Sequence, residues 1–128
     1  MSKPTLLIAE DDFLILEGSL CPLLTPHFEI VAAVMDGLEA VAAAEKHRPE
    51  IVLLDVSLPG LRGFEVARRV LANQPNCTLL FVSNYGDRAY LEAAREMGAK
   101  GWVLKNRVAS ELLPAIRLAR AGEFYQRC

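Results

Sequence analysis

Four places in this 128-residue chain carry side chains that could share one piece of chemistry. Three acids, Glu10, Asp11 and Asp12, follow the apolar run 6–9; Asp55 follows the run 51–54; Ser83 follows 78–82; Lys105 follows 101–104. Carboxylates gathered at one place repel one another, and a hard divalent cation with oxygen ligands, Mg2+ by preference, relieves that repulsion. Held by two or three carboxylates and a backbone carbonyl, Mg2+ keeps positions open for water and for a phosphate oxygen. The Ser83 hydroxyl and Lys105 ammonium would then partner phosphoryl oxygens, with Asp55 as the nucleophile that becomes an acyl phosphate. Taken singly, each residue is ordinary. An aspartate after a strand is commonly a turn residue or helix cap, Asp12 reads as the cap of the first helix, and lone Ser83 and Lys105 read as loop residues.

The elements that must position them are legible as apolar runs. Residues 6–9, 30–34, 51–54, 78–82 and 101–104 read as strands, four of them near-continuously apolar, as expected for a parallel sheet covered on both faces. Helical spacing follows each: Phe13, Leu16, Leu20 and Leu24; Leu38, Val41 and Ala42; Phe64, Ala67, Val70 and Leu71; Tyr90, Ala93, Ala94 and Met97; Leu112, Ile116 and Ala119. Gly37 opens the second helix and Pro49 closes it, Gly98 suits a C-terminal cap, and Ser110 suits the N-cap of the last helix. Pro22 and Pro114 are expected to bend or shorten the first and last helices. Right-handed crossovers leave a (βα)5 chain of this size one main solution, an α/β, doubly wound, five-stranded parallel sheet with its crevice beyond the carboxyl ends of the strands.

Composition agrees and narrows the function. Apolar residues make up 52% of the chain against 23% charged, so burial can offset the ordering entropy of one folded domain over residues 1–128. Fourteen Lys and Arg against sixteen Asp and Glu give a net charge of -2, which excludes nucleic-acid or anionic-lipid binding through bulk basicity. The uncharged stretch 70–86 is interrupted by Asn73, Gln74, Pro75, Asn76 and Asn84, so no membrane span is expected, and the run 6–9 meets Glu10 too early for a secretory signal, so a cytoplasmic location is expected. Cys21, Cys77 and Cys128 have neither disulfide nor metal-site spacing; Cys21 and Cys77 read as buried small hydrophobes.

The quoted strand ends, read with their neighbours, resemble a known family over essentially the whole chain: the receiver domains of two-component response regulators. The motifs are Ile8-Ala9-Glu10-Asp11-Asp12, Leu53-Leu54-Asp55-Val56-Ser57-Leu58-Pro59-Gly60, Phe81-Val82-Ser83, and Gly98-Ala99-Lys100-Gly101-Trp102-Val103-Leu104-Lys105. The resemblance implies a CheY-like, flavodoxin-like sheet of order 2-1-3-4-5. It implies that Asp55 is the phospho-acceptor, taking a phosphoryl group from a phosphohistidine of a sensor histidine kinase or histidine phosphotransfer protein. Mg2+ would be held by Asp11, Asp55 and the backbone carbonyl of Ser57, with Glu10 acting through water; the three consecutive acids leave this register open by one. Ser83 and Lys105 would each contact a phosphoryl oxygen, and the chain would catalyse only its own phosphorylation and dephosphorylation.

Some positions depart from the family pattern. Trp102 stands where Tyr or Phe is commoner and reads equally as a switch with Ser83 or as a core aromatic. Asn84 and Tyr85 occupy positions that modulate the lifetime of the acyl phosphate, and Asn106 replaces a frequent proline. Residues 98–125 are similar to receivers of the NarL/FixJ type, which implies regulation of transcription through an output domain not included in this chain, with no direct nucleic-acid contact by the receiver. Arg88, Tyr90, Arg95, Arg117 and Arg120 suggest a partner or homodimer face on the fourth helix, fifth strand and fifth helix. Two other classes compete: an aspartyl-phosphate phosphohydrolase, which places its nucleophile after the first strand, and an interaction module that is never phosphorylated.

Overall fold

The computed structural model describes residues 3–126. Its strands are β1 (Thr5–Ala9), β2 (Glu29–Val34), β3 (Ile51–Asp55), β4 (Thr78–Ser83) and β5 (Gly101–Leu104), all parallel in the order β2-β1-β3-β4-β5. Between them lie α1 (Phe13–Ile15), a π turn (Leu16–Leu20) and α2 (Cys21–Leu24), which together form the first helical segment; then α3 (Gly37–His47), α4 (Gly63–Asn73), α5 (Arg88–Met97), a 3-10 turn (Lys105–Arg107) and α6 (Val108–Arg120). The expected doubly wound sheet is therefore the observed one.

Side-chain alternation divides the core into two layers. Leu7, Ala9, Val52, Leu54, Leu79, Phe81 and Trp102 face α3, α4 and α5. Leu6, Ile8, Ile51, Leu53, Leu80, Val82 and Val103 face the first helical segment and α6. The three central strands are apolar because both their faces are covered, whereas β2, at the edge, is mostly half-buried.

Several boundaries follow from local chemistry. Asp12 Oδ1 accepts from the Leu14 and Ile15 backbone N–H groups at 3.0 and 3.3 Å, so it is the cap expected of it. Gly98 ends α5 at φ +106°, a left-handed conformation that suits glycine. Arg48 ends α3 in the same region at φ +44°, one residue before Pro49 excludes further helix. The disturbance expected near Pro22 is the π turn just before it.

Three expectations need correction. Pro114 does not shorten its helix: α6 runs through it to Arg120 because Leu112, Ala115 and Ile116 are fully buried, and that packing outweighs one missing hydrogen bond. Ser110 is not the N-cap. The 3-10 turn feeds directly into α6, whose cap position is Arg107, and the Ser110 hydroxyl donates back to the Arg107 carbonyl at 3.5 Å. Cys77 is buried, but Cys21 is only half-buried, because it opens α2 on the flank of the layer that faces α6; Cys128 lies outside the described residues.

Candidate functional site

Period-two alternation decides which strand-end residues meet. Glu10, Asp55 and Lys105 continue the parity of Ile8, Leu53 and Val103, so they emerge together on the α6 side of the sheet. The register pairs Ala9 with Leu54 and Asp55 with Val82, which levels the carboxyl ends. Gly63 completes the placement of Asp55: a Cβ there would stand 2.4 Å from the Asp55 carbonyl oxygen, so only glycine lets α4 start against this loop.

The resulting site is a bridged set of charges. Lys105 Nζ donates to Asp55 Oδ2 at 2.9 Å and to Glu10 Oε2 at 3.0 Å, with the three side chains 9%, 3% and 1% exposed. Asp55 Oδ1 accepts the Ser57 backbone N–H at 3.0 Å, and Glu10 Oε2 also accepts the Asp12 N–H at 3.0 Å. Burial by itself raises the Asp55 carboxyl, but the Lys105 hydrogen bond, the Ser57 N–H and the Lys105 charge outweigh it and hold the group below its ordinary value. Glu10 goes the other way: burial pushes it up to about 7 in spite of its hydrogen bonds to Asp12 and Lys105. Burial and the adjacent Asp55 raise Asp11, while the two acids raise Lys105 against the opposing effect of its burial.

The donor set fits a hard cation. Ligand oxygens of Glu10, Asp11 and Asp55 lie within 4.8 Å of one another. Among the described residues Glu10 Oε1 is buried with no hydrogen-bond partner, and one ammonium faces two buried carboxylates. Asp12 is occupied as a helix cap, so Glu10 and Asp11 are the acids this cluster offers. A cleft of about 630 Å3 opens over it, lined by Asp11, Asp55, Ser57, Asn84 and Lys105 together with Asp12, Phe13 and Ile15.

Ser83 lies next to this cleft, in a cavity that shares Ser57 with it. It has the parity of Phe81 and Trp102, and it lines a neighbouring aromatic cavity with Ser57, Phe64, Tyr85, Tyr90 and Trp102. Its hydroxyl oxygen accepts the Tyr85 N–H at 3.1 Å. Trp102 is 3% exposed, its ring centroid 5.4 Å from Phe81 and 6.2 Å from Phe64, and its Nε1–H donates to the Tyr85 carbonyl at 2.7 Å. The indole is thus a core ring that also grips the loop after β4. On the suggested partner face, Arg95 lies over the Phe124 ring and Arg120 pairs with Glu50. Sequence reasoning missed Phe13 and Ile15 at the cleft and the ion pair of Arg107 with buried Glu111, although the i,i+4 spacing of that pair was a readable signal.

A parallel sheet of this order, with a lysine bridging two acids beyond its carboxyl ends, defines the receiver class of signalling domain. The family model for the response regulator receiver domain matches residues 6–117, and the chain belongs to that family. It is therefore a receiver domain of two-component systems, a class of domain that interacts with histidine kinases and phosphotransfer proteins, and its similarity to LuxR- and NarL-family response regulators supports the NarL/FixJ type. The transcriptional regulatory protein DegU of Brevibacillus brevis is 32% identical over 125 residues, covering 97% of this chain and 53% of that protein. The transcriptional regulatory protein PdtaR of Mycobacterium tuberculosis is 36% identical over 113 residues, covering 88% and 55%. A LuxR-family two-component response regulator from Aurantimonas superposes with a TM-score of 0.88 at 28% identity, covering 98% of this chain and 90% of that one. The chain spans about half the length of the curated relatives it matches. Among the described residues no helix is long and apolar enough to cross a membrane.

Proposed function

We propose that the chain is a Mg2+-dependent phospho-acceptor that takes a phosphoryl group onto Asp55 from a phosphohistidine of a sensor histidine kinase or histidine phosphotransfer protein, and catalyses only its own phosphorylation and dephosphorylation. The observation that carries this reading is the Lys105 ammonium, 2.9 Å from Asp55 and 3.0 Å from Glu10, at the margin of an acidic cluster in which one buried carboxylate oxygen has no partner among the described residues. An Asp55 carboxylate oxygen attacks phosphorus; a P–O bond forms as the P–N bond breaks, and the imidazole leaves with the electron pair. Asp11, Asp55 and the Ser57 carbonyl would hold Mg2+, with Glu10 acting through water; bound there, the metal supplies the positive charge that lets two anions approach. The Ser57 N–H and Lys105 orient the attacking carboxylate. As charge develops on the phosphoryl oxygens, Lys105 transfers to them from Asp55 and Glu10.

The phosphoryl group carries about -1.5 to -2 charge in place of the single charge of the Asp55 carboxylate, and its new acceptor oxygens draw on the Ser83 hydroxyl in the neighbouring cavity, which shares Ser57 with the cleft. Ser83, Tyr85 and Trp102 are joined by hydrogen bonds, so a shift of Ser83 reaches Trp102 and the α5, β5 and α6 face, where a second copy or another partner would bind. Asn84 at the cleft and Tyr85 beside it would set the lifetime of the acyl phosphate. Regulation of transcription, through a segment outside this chain, is the output suggested by the names of its relatives. The test is treatment with acetyl phosphate, or with beryllofluoride, in the presence of Mg2+, comparing wild type with Asp55→Asn. The expected result is a mass or spectroscopic change in wild type alone; no Asp55-dependent change in either assay would overturn the proposal.

A further inference from the structure

Beyond α6 the chain turns back and adds itself to the open side of β5. The Tyr125 N–H donates to the Lys100 carbonyl at 3.1 Å, and its carbonyl accepts the Trp102 N–H at 2.8 Å, a parallel bridge opposite Gly101. The Tyr125 hydroxyl donates to Glu111 Oε1 at 3.1 Å. Glu111 is only 7% exposed, and its other oxygen accepts from Arg107 Nη1 at 3.2 Å. One residue therefore holds the chain on both flanks of Lys105: through its backbone at Lys100 and Trp102, and through Glu111 at Arg107. Phe124, stacked beneath the Arg95 guanidinium at 5.4 Å, fixes the outer side of the same strap.

We infer that Tyr125 is a positioning residue for Lys105, bracketing the segment that carries it, so that docking of the C-terminal strap and occupation of the phosphoryl site are coupled. The inference rests on the phospho-acceptor reading above. Lys105 enters the site from a single 3-10 turn, and the length of its side chain alone would let the ammonium wander. With its flanks fixed, the ammonium is pre-placed where phosphoryl oxygens arrive. Coupling of this kind is reciprocal: what tightens the Lys105 segment also tightens the strap.

The experiment uses the full 128-residue chain, with Trp102 as the only tryptophan and therefore the fluorescent reporter. Beryllofluoride affinity at saturating Mg2+, and Mg2+ affinity alone, are measured for wild type, Tyr125→Phe and Glu111→Gln, with thermal melts confirming the fold of each variant. Misplacing the ammonium weakens beryllofluoride binding by about threefold to tenfold, the effect of one ordinary hydrogen bond. Mg2+ binding stays unchanged or tightens, because a competing cation has been loosened. Parallel losses of both affinities, which general loosening would give, or no change in either, would overturn the positioning role. If wild type shows no Asp55-dependent beryllofluoride response, the phospho-acceptor reading itself fails. If that response is intact while the variants match wild type, only Tyr125 loses its role.

Discussion

At the amino end of the sheet Glu50 meets Arg120 at 3.3 Å, with 54% and 36% of the two side chains exposed; at the carboxyl end Lys105 bridges Asp55 and Glu10 with no side chain more than 9% exposed. The groups are alike and the physics is not. The outer pair is solvated at little cost and contributes at most about 1 kcal/mol. The inner set has left water with two carboxylates for one ammonium, an arrangement that well-packed apolar residues would match or better for stability alone. A charge set that costs stability is what the proposed phospho-acceptor role would require at the carboxyl end.

The largest effect separating the two ends should come from removing the shared ammonium. Lys105→Met leaves two buried acids facing each other, and denaturant unfolding at pH 8 without Mg2+ should show a loss of about 3–5 kcal/mol. Mg2+ should return part of it in the variant by taking over the role of the amine. No loss, or a loss indifferent to Mg2+, would mean that water already solvates the cluster.

The pH dependence of stability comes next. Glu10 is raised from 4.5 to about 7 in the folded chain, so the folded state binds this proton more tightly than the unfolded one. Its contribution is fully present below about pH 4.5 and is lost as pH rises through 7, by on the order of 3 kcal/mol. Asp55, held below its ordinary value, contributes at pH values above that of its unfolded carboxyl and loses this only as pH falls further, so the two acids act in different windows. Unfolding measured from pH 4.5 to 7.5 in wild type should therefore show a decline that Glu10→Gln flattens. An unchanged slope in that variant would assign the decline to another group.

The two ends also differ in how far they could be read from residues alone. Parallel strands all point one way, so whatever follows each apolar run collects at one end of the sheet. This is why Glu10, Asp11, Asp55 and Lys105 were legible as one constellation without any knowledge of side-chain placement. The facing of Ser83 was not drawn from the same runs, although its parity with Phe81 and Trp102 contained it: one residue of shift turns a side chain to the opposite layer. Other features lie beyond any local pattern. The uninterrupted passage of α6 through Pro114 depends on burial supplied by other elements. The grip of Tyr125 on β5 and Glu111 joins residues that only the finished fold brings together. Asp12 shows the converse, since a cap acts on the next two or three residues and is readable as soon as the helix is.

The smallest effect belongs to the amino end and sharpens the contrast from the other side. Glu50→Gln keeps an oxygen that can accept from the Thr5 N–H and removes the charge facing Arg120. Because both partners are well exposed, stability should fall by less than about 1 kcal/mol, and the difference from wild type should vanish as salt shortens the screening length. Asp55-dependent beryllofluoride binding should be the same in variant and wild type, since Glu50 precedes β3 and Asp55 closes it at the far end of the strand. A loss of several kcal/mol that persists in high salt would show that the amino end, too, holds charge in a poorly solvated setting, and the distinction between the two ends would then rest on composition rather than on burial.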